Sequence, residues 1–311
     1  MCIAFLATEN SSNTAGYDLV VAFNRDEYFS RPTQGFHIWQ DNPSIYAPQD
    51  LQPPNPSYRG SWIGINKQGR MAFLTNFREA TFHHDSMISR GALIRDFLME
   101  TPKTPANGYL VKGPRYAREY AQMIYNERHR YDGFSLVLVD MKARPVEIYY
   151  VTNRGYVDNK GIVKAIGQGK SVVGISNSVV DEPWPKVIRG KREFERILGD
   201  AAKKHGKDDR GLVEELMRLM RDKGCEFPVP ERIDDLKQHM FIPVVDGLGG
   251  DIAPGAYGTR STAVVLLRNN LLTVAEREYT VESSSLAQSC SSDAENDNSN
   301  EPVNIGVFEI S

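Results

Sequence analysis

Residues 2–27 read CIAFLATENSSNTAGYDLVVAFNRDE and contain two apolar segments separated by a cluster of turn-forming residues. Cys2–Thr8 and Tyr17–Phe23 are rich in apolar and β-branched side chains, as strands are, and the residues between them are typical of turns. We therefore predict an antiparallel hairpin whose paired positions sum to about 25. In this register Cys2 lies opposite Phe23, and NRDE, residues 24–27, continues just past it.

The predicted hairpin places the Cys2 thiol beside charged groups at one end of a sheet. The nearest are the guanidinium of Arg25 and the carboxylates of Asp26 and Glu27. A cation there favours a thiolate, and a carboxylate can hold an α-ammonium group. The alternative is a solvated strand end with an ordinary surface ion pair, which contributes little.

The rest of the chain alternates between runs of strands and runs of helices. A second hairpin is predicted from SWIGIN and MAFLTNF and ends at Thr75-Asn76, whereas the Pro-, Asn- and Gln-rich residues 40–57 are expected to be irregular. Helices are predicted at 86–100, 104–128, 185–203 and 209–223, and further strands at 134–140, 146–152, 170–176, 240–244, 261–267, 271–278 and 303–310. Segregated runs favour an α+β fold with two sheets covered by helices.

Composition excludes several classes of protein. The 311 residues are 41% hydrophobic and 25% charged, as expected for a globular protein, and the net charge of −3 argues against a dedicated nucleic-acid binder. The three cysteines are widely spaced without a CxxC pair, which predicts a reducing compartment and no metal site. No segment is apolar for long enough to suggest a transmembrane span. Residues 282–302 are polar and acidic, and we predict a disordered insertion there.

Cys2 is the first candidate for chemistry, because removal of Met1 would give it a free α-amine. The reference pKa values are about 7.7–8.0 for that amine and about 8.5 for the thiol. One residue would then hold both a nucleophile and its base. The alternative is that Cys2 is only a small hydrophobic residue of the first strand.

Three other polar residues lie at predicted strand ends. Asn76 and Asn177 each follow a strand, where an amide can donate to an oxyanion, and Arg260 precedes one. Each also has an ordinary explanation, since asparagine caps turns and polar residues begin strands.

Six motifs occur together in a familiar order: MCIAF, AFNRDEYFSRP, GSWIGIN, FLTNFRE, GISNS and YGTRSTAVVLL. In this the chain resembles the NRDE family, also called the transport and Golgi organisation protein 2 family, over nearly its whole length except 282–302. That family in turn resembles the N-terminal nucleophile (Ntn) hydrolases, particularly the branch with bile-salt hydrolase and penicillin V acylase. The resemblance implies a single domain over 1–311 with a four-layer αββα sandwich.

The resemblance also implies roles for individual residues. Cys2 would be the nucleophile, Asp26 the partner of its α-amine, Asn76 and Asn177 the polar groups around the oxyanion, and Arg260 a charge near the thiol. Further residues of the family motifs are Asn24, Arg25, Glu27, Gly258 and Thr259. The hydrolases carry an arginine three residues before the aspartate, where this chain has Phe23. Because adjacent strand residues face opposite sides, Arg25 is expected to point away from Cys2 if Asp26 faces it.

Two functions follow from the resemblance, and a third from composition. The first is a cytoplasmic protein, associated with the Golgi or mitochondria, that supports Golgi organisation and secretion by binding or mobilising haem, a lipid or acyl-CoA. The alternative is a Cys2-dependent amidohydrolase that acts on a linear amide or acyl bond without a cofactor. The third is a trafficking scaffold that uses the acidic segment 282–302. A small-molecule or lipid-like ligand is expected, whereas the substrate and any protein partners stay open.

Overall fold

The computed structural model describes residues 2–9, 14–77, 87–99, 117–155, 162–166, 172–203, 209–222, 224, 230–246, 255–286 and 302–310. The strands in these ranges are β1 (Cys2–Thr8), β2 (Leu19–Tyr28), β3 (Thr33–Trp39), β4 (Asn42–Asp50), β5 (Ile63–Asn66), β6 (Arg70–Asn76), β7 (Phe134–Asp140), β8 (Glu147–Thr152), β9 (Ile162–Ile166), β10 (Val173–Ile175), β11 (Val245–Asp246), β12 (Ala256–Arg268), β13 (Leu271–Glu278) and β14 (Asn304–Glu309). The helices are α1 (Gly91–Leu98), α2 (Ala117–Glu127), α3 (Pro185–Lys203), α4 (Asp209–Met220) and α5 (Val281–Leu286).

The strands form two antiparallel sheets. The first sheet has the order β10-β1-β2-β12-β13-β14, with β11 paired to β12, and the second has the order β3-β4-β5-β6-β7-β8-β9. Although β1 and β12 are far apart in sequence, both pair with β2, so the first sheet brings the two ends of the chain together.

Side-chain alternation along the strands produces three apolar layers. On β1, Cys2, Ala4 and Leu6 face the second sheet, whereas Ile3 and Phe5 face the helices. Helices α3 and α4 cover the outer face of the first sheet, and α1 and α2 cover that of the second. The result is the predicted four-layer αββα sandwich of an α+β fold.

The predicted register of the first hairpin is wrong by two residues. Cys2 pairs with Arg25 and Ala4 with Phe23. The cause is a turn at the end of the connection: Ala15 has φ 53°, and the backbone N–H of Tyr17 donates to the Thr14 carbonyl over 3.0 Å. This turn delays the start of β2 to Leu19. NRDE is consequently part of β2, not an extension past it.

The predicted irregular segment 40–57 is also wrong, because β4 occupies Asn42–Asp50. Its two prolines, Pro43 and Pro48, lie where the pairing with β3 changes register. Proline has no N–H to donate, and it is tolerated where a strand ladder is interrupted. A proline-rich strand therefore looks like a loop in the sequence.

The other predicted elements either match the structure or differ from it at their ends. α3, β7 and β13 match their predicted bounds, and α1 is shorter than predicted. The strand predicted at 240–244 is wrong, because the Ile242 N–H donates to the Thr259 hydroxyl rather than to a strand backbone. Part of 282–302 is helical, since α5 ends at Leu286, and residues 287–301 lie outside the described residues, as do 104–116. Among the helices of the described ranges, none combines the length and apolarity needed to cross a membrane.

Candidate active site

Cys2 begins β1 and is 7% exposed. Its backbone nitrogen donates to Oδ1 of Asn177 over 3.1 Å, and its carbonyl accepts from Oγ of Ser176 over 2.7 Å. Both partners directly follow β10, which pairs with β1 through Ala4 and Ile175. The strand pairing therefore brings the segment after Ile175 to the first residue of β1.

Asn177 also connects Cys2 to the second sheet. Its Nδ2 donates to the carbonyl of Asn76, the last residue of β6, over 2.6 Å, and the hydroxyl of Thr75 donates to the Ser176 carbonyl over 2.5 Å. The half-buried side-chain amide of Asn76 makes no hydrogen bond with any residue in the described ranges. Asn177 therefore holds the Cys2 nitrogen, whereas Asn76 has an amide available to a ligand.

Arg25 lies directly opposite Cys2 in the pairing of β1 and β2. Paired residues of antiparallel strands share a face, so the expectation that Arg25 points away from Cys2 is wrong. Its guanidinium carbon lies 4.0 Å from the centroid of a Trp62 ring, and Nη2 lies 3.8 Å from Oε2 of Glu27. Burial between the sheets and stacking on an indole fix this cation beside the thiol.

Asp26 lies on the opposite face of β2 and is 3% exposed. Its Oδ1 accepts from the hydroxyl of Thr259 over 2.7 Å, and that hydroxyl accepts from the N–H of Ile242 over 2.8 Å. A Cβ on the neighbouring Gly258 would lie 3.0 Å from the Ile242 carbonyl, which explains a glycine there. The YGTRS motif thus supplies the partner of the NRDE aspartate.

Asn24 connects β2 to the helical layer. Its Nδ2 donates to the carbonyls of Met220 over 2.7 Å and Met240 over 3.0 Å, and its Oδ1 accepts from the Thr262 hydroxyl over 2.6 Å. All of these groups are buried. Asn24 therefore serves the packing that positions Arg25, and both ends of its amide are committed to protein partners.

Arg260 is bound to the connection between β2 and β3. Its guanidinium donates to the carbonyls of Tyr28 (2.9 Å), Phe29 (3.3 Å) and Arg31 (3.2 Å) and to Oγ1 of Thr33 (3.3 Å). Hydrogen bonds thus link Cys2 to Asn177 and Asn177 to the Asn76 carbonyl, and Asp26 faces the other side of β2. Arg25, rather than Arg260, lies opposite Cys2.

Comparison with known sequences agrees with this arrangement of motifs. The chain matches the family model described as Transport and Golgi organisation 2 over residues 1–281. The chain belongs to this family. It is similar to the mouse Transport and Golgi organization 2 homolog, 26% identical over 280 residues that cover 89% of this chain and 92% of the relative. The human homolog is 29% identical over 271 residues, which cover 86% of this chain and 88% of the relative.

Two solved structures are also similar to this member of the family. One is a mutant of the conjugated bile acid hydrolase from Clostridium perfringens, with a TM-score of 0.45 and 12% identity, covering 100% of this chain and 92% of that one. The other is the Caenorhabditis elegans ortholog of N-acylethanolamine-hydrolyzing acid amidase, with a TM-score of 0.40 and 9% identity, covering 85% and 92%.

Burial dominates the electrostatics of the site in this Transport and Golgi organisation 2 family member. It raises the pKa of the Cys2 thiol, and the Asp26 carboxylate raises it further, whereas the Asp26 backbone N–H and Arg25 favour the thiolate. Burial also raises the pKa of Asp26, against the opposing effects of Lys186 and the hydrogen bond from Thr259. Burial therefore favours the neutral thiol over the thiolate.

Sequence reasoning missed two residues of the site. Trp62 carries no charge or nucleophile that would mark it, and its position in the motif GSWIGIN was the one signal of its role beneath Arg25. Lys186 gave no signal, because a lysine after a proline at a helix start normally faces solvent, yet it is 0% exposed. Its charge acts on both Asp26 and Cys2.

No residue can be assigned to a cofactor from the described side chains. Within those ranges, no group of three or more His, Cys, Asp or Glu is placed to hold a metal ion. The expectations of haem as a cargo and of cofactor-free catalysis stay predictions.

Proposed function

We propose that this chain is an N-terminal cysteine amidohydrolase, in which Cys2 cleaves a linear amide or acyl bond after Met1 is removed. The observation that supports it best is the 3.1 Å hydrogen bond from the Cys2 nitrogen to Asn177. After removal of Met1 that nitrogen is an α-amine, already oriented and on the same residue as the thiol. A nucleophile and a group that can act as its base are then in place on one residue.

The proposed reaction has two stages. As the sulfur attacks the carbonyl carbon, the α-amine takes the thiol proton, and a C–S bond and an oxyanion form. The oxyanion collapses, the C–N bond breaks, and the α-ammonium protonates the leaving amine. Water then attacks the thioester carbonyl carbon and gives a proton to the α-amine. The C–S bond breaks, the α-ammonium returns this proton to the sulfur, and the carboxylic acid leaves.

The residues around Cys2 have distinct parts in this proposal. Asn177 holds the attacking residue by its nitrogen. The uncommitted amide of Asn76 is the donor to the oxyanion. Arg25 favours the thiolate by its positive charge, and Asp26 is the acceptor for the α-ammonium.

The test begins with the N-terminus of protein purified without a tag at that end. We expect N-terminal sequencing to start at Cys2. The protein is then given fluorogenic N-acyl aminocoumarin amides with acyl chains from acetyl to palmitoyl. We expect release of the fluorophore and, on rapid acid quenching, an acyl group on the Cys2 peptide by mass spectrometry.

Two controls make the result decisive. Cys2→Ala should abolish turnover, and a chain that carries an extra residue before Cys2 should do the same, because its nitrogen is then an amide. Retention of Met1, equal turnover by Cys2→Ala, or no turnover by correctly processed protein across the whole set would each contradict the proposal.

A cellular role in transport and Golgi organisation is proposed from the names of the relatives, and a role in secretion from the family resemblance. Haem, lipid or acyl-CoA handling belongs to this second proposal, and no contact among the described residues favours one of them. Titration calorimetry with haem and with acyl-CoA tests the ligands. Rescue of secretion in cells lacking their own family member, by wild type and by Cys2→Ala, tests whether the cellular role needs the thiol.

A further inference from the structure

A wholly buried lysine lies behind the candidate site. Lys186 is the second residue of α3, is 0% exposed, and its Nζ makes no hydrogen bond with any residue in the described ranges. Lysine is rarely buried completely without a partner, because removing an ammonium from water costs a great deal. The first turn of a helix is also unfavourable for a cation. This position is therefore costly for stability, and it needs another explanation.

The packing of α3 holds Lys186 close to the first sheet. A Cβ on Gly174 of β10 would lie only 2.6 Å from Cγ1 of Val187, so the helix start is almost in contact with the strand backbone. Phe5 of β1 and Phe194 of α3 have ring centroids 5.8 Å apart. Val187 and Phe194 thus hold α3 against β10 and β1, and the adjacent Lys186 is wholly buried.

The groups whose charges act on Lys186 come from β1, β2 and α3. Asp26 of β2 and Cys2 of β1 attract its ammonium, and Arg189 of its own helix repels it. The Nζ atom of Lys186 lies 5.6 Å from the centroid of a Trp184 ring, and the Nζ atom of Lys237 lies 5.8 Å from one. Burial lowers the pKa of Lys186, and the two attractions oppose this. The attractive partners are therefore two residues of the candidate site.

We propose that Lys186 is a positioning residue of the Cys2 site, whose ammonium keeps Asp26 ionised, favours the Cys2 thiolate and opposes a second positive charge on the Cys2 α-nitrogen. A cation in a buried site favours a nearby anion and disfavours a nearby cation. The α-nitrogen would then be a free amine that can take the thiol proton. This role rests on the proposed function, since it requires Cys2 to begin the processed chain.

The test measures the reactivity of Cys2 without any substrate. Iodoacetamide labelling of the Cys2 peptide is quantified by mass spectrometry across a pH series, so that the other two cysteines do not contribute. We expect the midpoint of the rate profile to be higher in Lys186→Met than in wild type. Each unit of displacement corresponds to about a tenfold slower reaction below the midpoint.

Matched variants separate an electrostatic role from a structural one. Lys203→Met changes a lysine of the same helix that is 79% exposed, and its profile should equal that of wild type. If Lys186→Met does not fold, Lys186→Met combined with Asp26→Asn removes both buried charges. Its profile is then compared with that of Asp26→Asn alone, and a higher midpoint is again expected.

The outcomes are distinct. An unchanged midpoint with a lower melting temperature means that Lys186 is only structural, and an unchanged midpoint with unchanged stability means that it has no role; either overturns the inference. A displaced midpoint in a protein that turns over no amide supports the role of Lys186 in setting thiol reactivity and contradicts the proposed hydrolase. Amide turnover with an undisplaced midpoint supports the proposed hydrolase and contradicts the role of Lys186.

Discussion

Cys2 and Arg25 are direct partners in the antiparallel pairing of β1 and β2, and Arg25 lies 4.0 Å from a Trp62 ring on the face they share. Backbone pairing, rather than a mobile loop, therefore fixes the cation relative to the thiol. Since Asp26 is the next residue of the same strand, the two charges of the motif NRDE lie on opposite faces of the sheet. The guanidinium faces the space between the sheets, and the carboxylate faces the helical layer.

Replacement of Arg25 by methionine should slow alkylation of Cys2 at neutral pH several-fold, because the positive charge that favours the thiolate is lost. Methionine keeps an apolar chain against Trp62, so the melting temperature should change little. The measurement is iodoacetamide labelling of the Cys2 peptide. Arg128→Met is the matched control, because Arg128 also lies over an aromatic ring, 4.2 Å from that of Tyr125, away from the site. Equal rates in Arg25→Met and wild type would show that the guanidinium does not act on the thiol.

Replacement of Asn177 by alanine should lower the free energy of unfolding by about 1–3 kcal/mol. The buried amide accepts from the Cys2 nitrogen and donates to the Asn76 carbonyl, so its removal leaves groups in both sheets without a partner. Urea unfolding followed by circular dichroism measures the loss. Asn126→Ala, at an exposed site on α2, is the control and should be neutral. A stable Asn177→Ala variant would mean that water replaces the lost bonds.

Replacement of Asn76 by alanine should lower activity and leave stability nearly unchanged, in contrast to Asn177→Ala. Its side-chain amide bonds to no residue in the described part of the chain, so unfolding should be nearly unaffected, whereas loss of an oxyanion donor typically lowers kcat by about 10²–10³. Steady-state kinetics with whichever aminocoumarin amide is turned over, together with urea unfolding, tests both parts. Full turnover by Asn76→Ala would assign the oxyanion donor to another group.

Local patterns of this sequence were sufficient for elements whose periodicity is strong. β7, β13 and α3 begin and end where their apolar repeats do. The register of β1 against β2 depended instead on a left-handed backbone at Ala15, which is rare for alanine and invisible to a pattern of apolar residues. A two-residue error preserves the parity of the faces, so Cys2 and Phe23 still share one face of the sheet.

Sequence motifs predicted the site residues that lie at strand ends. They did not predict the residues whose positions depend on tertiary packing. Asn76 ends a strand of one sheet and Asn177 follows a strand of the other, and the sandwich brings those ends together. Lys186 could not be found in this way, because its burial depends on glycines that let α3 approach the sheet. The position of Arg260 depended on the path of the β2–β3 connection, which the sequence left open.

A buried carboxylate links the two sheets and makes stability depend on pH. Oε2 of Glu276, on β13, accepts from the backbone N–H of Phe36, on β3, over 2.6 Å. Burial raises the pKa of Glu276 to about 8, with Glu278 acting in the same direction and the bond from Phe36 opposing it. In the unfolded chain a glutamate titrates near its ordinary value of about 4.3. Between these values the folded protein keeps a proton that the unfolded chain releases.

Stability should therefore fall as the pH rises from about 4.3 towards about 8 and level off above it, since the folded state binds more protons in that window. Glu276→Gln removes this titration but keeps an acceptor for Phe36. The free energy of unfolding of the variant, relative to that of wild type, should increase as the pH rises, by on the order of a few kcal/mol at the upper end. Urea unfolding over this pH range measures the difference, with the exposed Glu309→Gln on β14 as control. A difference between Glu276→Gln and wild type that is constant with pH, or that grows towards acid, would show that Glu276 is ionised in the folded protein throughout.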